Sequence, residues 1–232
     1  MSITKEKITV GGIPAIIWGK SADKAYIHVH GKCSRKEYAR GFAEIAEAKG
    51  FQTISFDLPQ HGERADEDYP CDIWNGMADL CKIYDFAAGK WQSISLFACS
   101  IGAFFSLNAY AELPLQKALF RSPIVDMNRL IRNMFEWFGV TEEELHEKGE
   151  IPTPVETLSW KYYTYVREHP IEKWSIPTAV LYGGLDNLQP REAIEAFCER
   201  FGAALTVSEQ SEHPFMAESD TPIVAGWLEA NI

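Results

Sequence analysis

A chain of 232 residues can bury a sizeable core and fits one domain of α/β type with room for a small insertion. Its hydrophobic content of 46% and charged content of 24% are ordinary for a globular protein, and a formal charge of -11 argues against nucleic acid or anionic membrane surfaces as partners. Residues 1–7 lack the apolar core of a signal peptide, no apolar run could span a bilayer, and the five scattered cysteines have no metal-ligand spacing, so a reducing cytoplasm is expected.

Residues 8–10 and 15–18 flank Gly11-Gly12, a hairpin signal. Residues 25–30 read as a buried strand that runs into His28-Val-His-Gly-Lys32. Residues 34–49 predict an amphipathic helix with Tyr38, Phe42, Ile45 and Ala46 on one face and Gly50 as its C-cap. The next strand, 51–56, leads into Asp57-Leu-Pro-Gln-His-Gly-Glu-Arg64. A polar loop at 66–69 precedes a helix over 72–88, where Ile73, Met77, Leu80, Ile83 and Tyr84 recur at helical spacing.

Residues 94–98 form a short apolar run, read as a buried strand, and from Ile101 onward Ala103, Leu107 and Tyr110 recur as on a helix. Between them lies Ala98-Cys-Ser-Ile-Gly102. A serine at a sharp strand-to-helix turn is pushed out above the sheet edge. The unpaired N–H groups and dipole of the helix start then favour negative charge developing beside it. Small residues two before and two after let strand and helix pack closely, and Ala98 and Gly102 are both small. A plain helix N-cap is the simpler use of such a serine. Cys99 is expected to point away from any pocket and to pack as a small hydrophobe.

Strand 117–121 ends at Ser122-Pro123, and the rhythm then changes. Three helices, over 126–138, 141–148 and 154–167, are predicted with no strand between them. This insertion, 124–171, is expected to cap the active-site edge of a core made of residues 1–123 and 172–232. It is rich in Met127, Met134, Phe135, Trp137, Phe138, Trp160, Tyr162, Tyr163 and Tyr165, which could line a pocket or simply pack the cap, and Arg129, Arg132, Lys161 and Arg167 read as solvated faces. Strand 177–182 leads to Gly183-Gly-Leu-Asp-Asn187, helix 190–201 and strand 204–208 follow, and a loop carrying His213 precedes the last helix. Alternation of strands and helices predicts an α/β fold with a mostly parallel, doubly wound sheet. Ligands bind beyond the carboxyl ends of such strands, where Gly31, Asp57 and Ser100 all fall.

The order of these elements and motifs resembles the α/β-hydrolase superfamily over nearly the whole chain. The resemblance rests on Ala98-Cys-Ser-Ile-Gly102, a departure from Gly-x-Ser-x-Gly at Ala98, together with His30-Gly31, the Asp57-x-Pro-x-His-Gly62 loop, Gly183-x-x-Asp186 and a histidine after the last strand. It implies a triad of Ser100 as nucleophile, His213 as base and Asp186 as the acid that orients it. It also implies an oxyanion hole from the backbone N–H groups of Ile101 and Lys32. Asp57 and Gly62 are implied to shape their loop, and His61 is not the expected base. The expected activity is acyl transfer to water, most simply hydrolysis of a carboxylic ester of a small or medium apolar substrate, with no metal or organic cofactor. The same triad would serve a thioesterase, an amidase or a carbon–carbon bond hydrolase, and a catalytically silent small-molecule receptor is the alternative of another class. A small molecule is the only partner implied. Monomer and dimer both stay open.

Overall fold

The computed structural model describes residues 3–232. The chain opens with the hairpin β1 (Lys5–Val10) and β2 (Ile13–Trp18), then runs β3 (Lys24–Val29), α1 (Arg40–Ala48), β4 (Gln52–Phe56), α2 (Ile73–Lys90), β5 (Ser93–Cys99), α3 (Ile101–Ala109) and β6 (Ala118–Arg121). After an insertion, β9 (Thr178–Gly183), α7 (Arg191–Phe201), β10 (Ala204–Ser208) and α8 (Asp220–Asn231) complete it. Eight strands form one sheet in the order β1-β2-β4-β3-β5-β6-β9-β10. Only the pairings of β2 with β1 and β4 are antiparallel. The fold class is therefore the expected one, a mostly parallel sheet flanked by helices.

The core follows from the alternation of side chains along each strand. Ala25, Ile27 and Val29 of β3, with Leu96 and Ala98 of β5, face the layer built on α2, α3 and α7. Tyr26 of β3, Phe97 of β5, Leu119 of β6 and Leu181 of β9 face α1 and α8, through Phe42, Trp227 and Leu228. Helix α1 carries the chain from β3 to β4 on one side, and α2 carries it from β4 back past β3 to β5 on the other. The carboxyl ends of β3 and β5 thus lie at the point where the strand order reverses, the crevice in which open α/β sheets bind ligands. Ser100 follows β5, and Gly31 and Lys32 follow β3.

Two predicted helices differ in detail. The segment expected to be helical over 34–49 enters through a 3-10 turn, Lys36–Ala39, before α1. That turn places Lys36 inside, at 1% exposure, and turns Tyr38 out, at 63%. A polar partner inverts the apolar pattern: Lys36 Nζ meets Asp57 Oδ2 at 2.5 Å, and the Lys36 carbonyl accepts the Ser55 hydroxyl at 2.8 Å.

Between β6 and β9 lie α4 (Met127–Phe138), α5 (Glu142–Lys148) and α6 (Trp160–Glu168), the first two capped by the side chains of Asp126 and Thr141. The expectation of no strand between them fails. Residues 150–159 fold into a small hairpin, β7 (Glu150–Pro152) with β8 (Thr157–Ser159), so α6 begins six residues later than predicted. Pro152 and Pro154 cannot donate to a helix ladder. The Thr153 hydroxyl instead accepts the N–H groups of Val155 and Glu156 and donates to the Glu156 carbonyl, closing the turn. Among the described residues no helix is long and apolar enough to cross a membrane.

Candidate active site

The turn from β5 into α3 forces Ser100 to φ 52°, ψ −123°, a region that costs a side-chain-bearing residue about 1–3 kcal/mol. Such a conformation persists only where neighbours over-determine it. Ser100 N–H donates to the Arg121 carbonyl at 3.2 Å, and its own carbonyl accepts Ala103 N–H at 3.0 Å and Ile124 N–H at 3.2 Å. Close approach explains the small residues around it. A Cβ on Gly102 would lie 2.4 Å from the His30 carbonyl oxygen, and one on Gly31 would lie 3.1 Å from the Ser100 Cβ. Ala98 is fully buried in β5 opposite Val29 and Phe120, so its methyl is accommodated where a glycine is usual.

Ser100, His213 and Asp186 meet in one line. His213 Nε2 lies 2.8 Å from Ser100 Oγ, and its Nδ1 lies 2.6 Å from Asp186 Oδ2. The other carboxylate oxygen, Oδ1, accepts the N–H groups of Leu188 at 2.8 Å and Gln189 at 3.1 Å. With Nδ1–H donating to the carboxylate, the Nε2 lone pair faces the serine hydroxyl. The Asp186 side chain is 1% exposed and that of His213 is 11% exposed, so the pair works largely out of water.

The His213 loop is held from beneath. A Cβ on Gly183 would lie 2.5 Å from the Ser211 carbonyl oxygen, so only glycine lets the end of β9 pass under it. The Ser208 hydroxyl lies 2.7 Å from that of Ser211, and Ser211 donates to the buried Asp220 carboxylate at 2.6 Å. Asp220 also accepts Ala217 N–H at 3.0 Å, which ties the loop to the start of α8.

The two N–H groups expected to bind an oxyanion, those of Lys32 and Ile101, meet no acceptor among the described residues. Ile101 opens α3, where N–H groups are unpaired by the geometry of the helix. The Gly31–Lys32 peptide is fixed by His30, whose role the sequence does not reveal. His30 Nδ1–H donates to the Gly31 carbonyl at 2.7 Å, and its Nε2 accepts Leu58 N–H at 3.1 Å. A planar trans peptide points its C=O and N–H in opposite directions, so the bond to the Gly31 oxygen aims the Lys32 N–H. The Lys32 side chain reaches the other way. Its Nζ donates to the Val155 carbonyl at 3.0 Å and pairs with the Glu156 carboxylate, at the tip of the β7–β8 hairpin.

His61 donates from Nδ1 to the Pro59 carbonyl at 2.8 Å and accepts Cys33 N–H on Nε2 at 3.1 Å, so both its nitrogens serve the loop. Asp57 accepts Lys36 N–H at 2.9 Å and Glu63 N–H at 3.0 Å, and a Cβ on Gly62, at φ 56°, would collide with that carboxylate. The Cys99 thiol accepts from Arg121 Nε at 3.3 Å. Within the insertion, Tyr163 packs against Phe135 and Trp160, Arg167 pairs with Glu142, Lys161 lies over Trp74, and Trp137 is exposed. Among the described residues no group of three or more His, Cys, Asp or Glu side chains is placed to share a metal ion.

Burial depresses the basicity of both histidines at the end of β3. It pushes His28 down to about 3, with His30 and Arg121 adding repulsion, and His30 down to about 4. Both are therefore neutral in the folded protein near pH 7. Below about pH 6.5 the unfolded chain takes up protons that the folded one refuses, so this stability is complete above that pH and is lost on acidification toward 4. Urea unfolding is expected to lose about 2 kcal/mol per histidine between pH 7.5 and 5. His28→Phe, which also removes a buried Nδ1 lacking a partner, should flatten that slope; an unchanged slope would rule out His28 as a source.

No protein-family model and no curated protein sequence matches the chain. Solved structures do. Mouse alpha/beta hydrolase domain-containing protein 10 superposes with a TM-score of 0.79 at 16% identity, covering 98% of this chain and 97% of its own. Est1E of Butyrivibrio proteoclasticus, with ferulic acid bound, gives 0.77 at 16% identity over 97% and 96%. The Pyrococcus furiosus esterase Pf2001 gives 0.69 at 17% identity over 99% and 92%. This chain has the α/β-hydrolase fold.

Proposed function

We propose that the protein is a serine hydrolase that cleaves a carboxylic ester of a small or medium apolar substrate through an acyl-enzyme. The observation that carries this reading is the unbroken line from Ser100 through His213 to the buried carboxylate of Asp186. A serine hydroxyl is a poor nucleophile at neutral pH. In the proposed reaction His213 Nε2 takes its proton as Ser100 Oγ bonds to the acyl carbon, and the imidazolium is stabilised by Asp186. The proton then passes to the leaving alcohol as the carbon–oxygen bond breaks, and water repeats the sequence to release the acid. Lys32 and Ile101 N–H are assigned to the tetrahedral oxyanion, a role in which one donor is worth about 2.7–4 kcal/mol.

Residues 124–171 are assigned the role of a cap, supported by the contact of their hairpin tip with Lys32. One neighbour in fold, Pf2001, is described as an esterase, which supports ester chemistry at low sequence identity. A cytoplasmic site is proposed from the five unpaired cysteines.

The test is labelling of wild type and Ser100→Ala with a fluorophosphonate and, on separate untreated samples, assay on p-nitrophenyl esters from acetate to decanoate. Wild type is expected to be labelled on Ser100 and to turn over the shorter esters, and Ser100→Ala to do neither. Absence of both labelling and turnover in wild type would leave a silent fold in place of an enzyme.

A further inference from the structure

The side chain of Gln189 joins parts of the molecule that the triad needs to keep in register. Gln189 is fully buried, directly after the turn that presents Asp186. Its amide uses its full bonding capacity. Oε1 accepts the N–H groups of Val125 at 3.0 Å and Asp126 at 2.8 Å, and Nε2 donates to the carbonyls of Asp126 at 3.0 Å and Leu188 at 3.1 Å. Its main chain is committed as well: its N–H donates to Asp186 Oδ1, and its carbonyl accepts the Tyr182 hydroxyl at 2.8 Å.

The segment it grips has a second attachment. Ile124 N–H donates to the carbonyl of Ser100 itself. Residues 124–126 are therefore a strut, with the nucleophile's main chain at one end and the Gln189 amide at the other. His213 bridges the same gap on the side where the chemistry would occur, between Ser100 Oγ and Asp186 Oδ2. The separation of acid and nucleophile is thus set twice, once by the imidazole and once by the strut.

We propose that Gln189 is a positioning residue, whose side-chain amide locks the Asp186 turn to the segment holding Ser100 and so keeps His213 aligned between them. The inference rests on the hydrolase reading for its kinetic consequence, but the alignment itself is visible without turnover. No other residue type fits the arrangement as well. The site needs an acceptor for two N–H groups and a donor for two carbonyls, four bonds from the main chain at one depth, which a carboxylate or an apolar side chain cannot supply.

The experiment compares wild type with Gln189→Met, which keeps length and removes the bonds. Three readings are taken below the melting temperature: kcat and KM on a short p-nitrophenyl ester, the fluorophosphonate labelling rate, and the downfield proton resonance of His213 Nδ1–H. Expected are a fall of about 10- to 100-fold in kcat and labelling rate, a KM within about twofold, and a His213 resonance that shifts or broadens. If Gln189→Met does not fold, Gln189→Glu, which keeps the acceptor and loses the donor, is read in the same way. A folded variant with all three readings unchanged, or with only KM or melting temperature altered, would overturn the proposal. A wild type that is neither labelled nor active fails the hydrolase reading instead, and the His213 resonance then still decides whether Gln189 sets the Asp186–His213 pair.

Discussion

Asp186→Asn is expected to lower kcat by about 10⁴-fold while leaving the fold intact, because the surrounding bonds dictate which way the amide must face. Asp186 Oδ1 receives two N–H groups, from Leu188 and Gln189. An asparagine must put its carbonyl oxygen there, since an NH₂ group facing two donors is repelled. Its NH₂ then takes the place of Oδ2 and points at His213 Nδ1, which must become an acceptor. The ring proton moves to Nε2, 2.8 Å from Ser100 Oγ, where a lone pair is needed. The imidazole is then the wrong tautomer to take the serine proton. Steady-state assay on the ester preferred by wild type reads the effect, with circular dichroism as the control for folding. A loss below about tenfold would show that the Asp186 charge does not set the tautomer.

The second large effect concerns stability. Asp57→Ala is expected to destabilise the protein by roughly 3 kcal/mol, because it removes the one fully buried partner of the Lys36 ammonium and leaves it only the partly exposed carboxylates of Glu37 and Glu63. Lys36 Nζ is 1% exposed and sits between Asp57 Oδ2 at 2.5 Å and the half-exposed Glu63 at 2.9 Å. Burial alone would lower the Lys36 pKa. The bonds to Asp57 and Glu63 outweigh that, and the group stays charged, above its ordinary value. Asp57 also accepts two backbone N–H groups, which would be orphaned with it. For a domain of ordinary stability, about 5–15 kcal/mol, this is a large share of the total. Urea denaturation checks it. The double variant Asp57→Ala, Lys36→Met should recover part of the loss, because an apolar pair costs less than a buried ammonium that has lost its buried counter-ion. Equal losses in the single and double variants would mean that the pair contributes nothing beyond its backbone bonds.

What was legible in the sequence, and what was not, follows from how far each signal reaches along the chain. The strands and the elbow were readable because their causes are local: an apolar run, a helical period, and small residues where backbones nearly touch, as Gly102 shows against His30. Ser100, Asp186 and His213 could be named from their order and their turns, and the structure brings their side chains together. Tyr38, expected on the apolar face of its helix, is exposed and Lys36 is buried in that turn, because the partner that draws the lysine inside is 21 residues away on another loop. The hairpin at 150–159 was overlooked although Pro152 and Pro154 argued against helix there. Gln189 left no trace at all. Three of its four side-chain bonds reach residues 63 or 64 positions away, and nothing in the composition of Leu-Gln-Pro announces a buried amide with four bonds.

Lys32 is the place where two kinds of constraint separate. The N–H proposed for the oxyanion belongs to the main chain, and any residue except proline would supply it. What its lysine side chain serves is the hairpin tip, through Val155 and Glu156. The chemistry of the core thus leaves the identity of residue 32 free, and the insertion dictates it. Residue 32 thus carries two separate demands, one on its main chain from the proposed site and one on its side chain from the hairpin at 150–159.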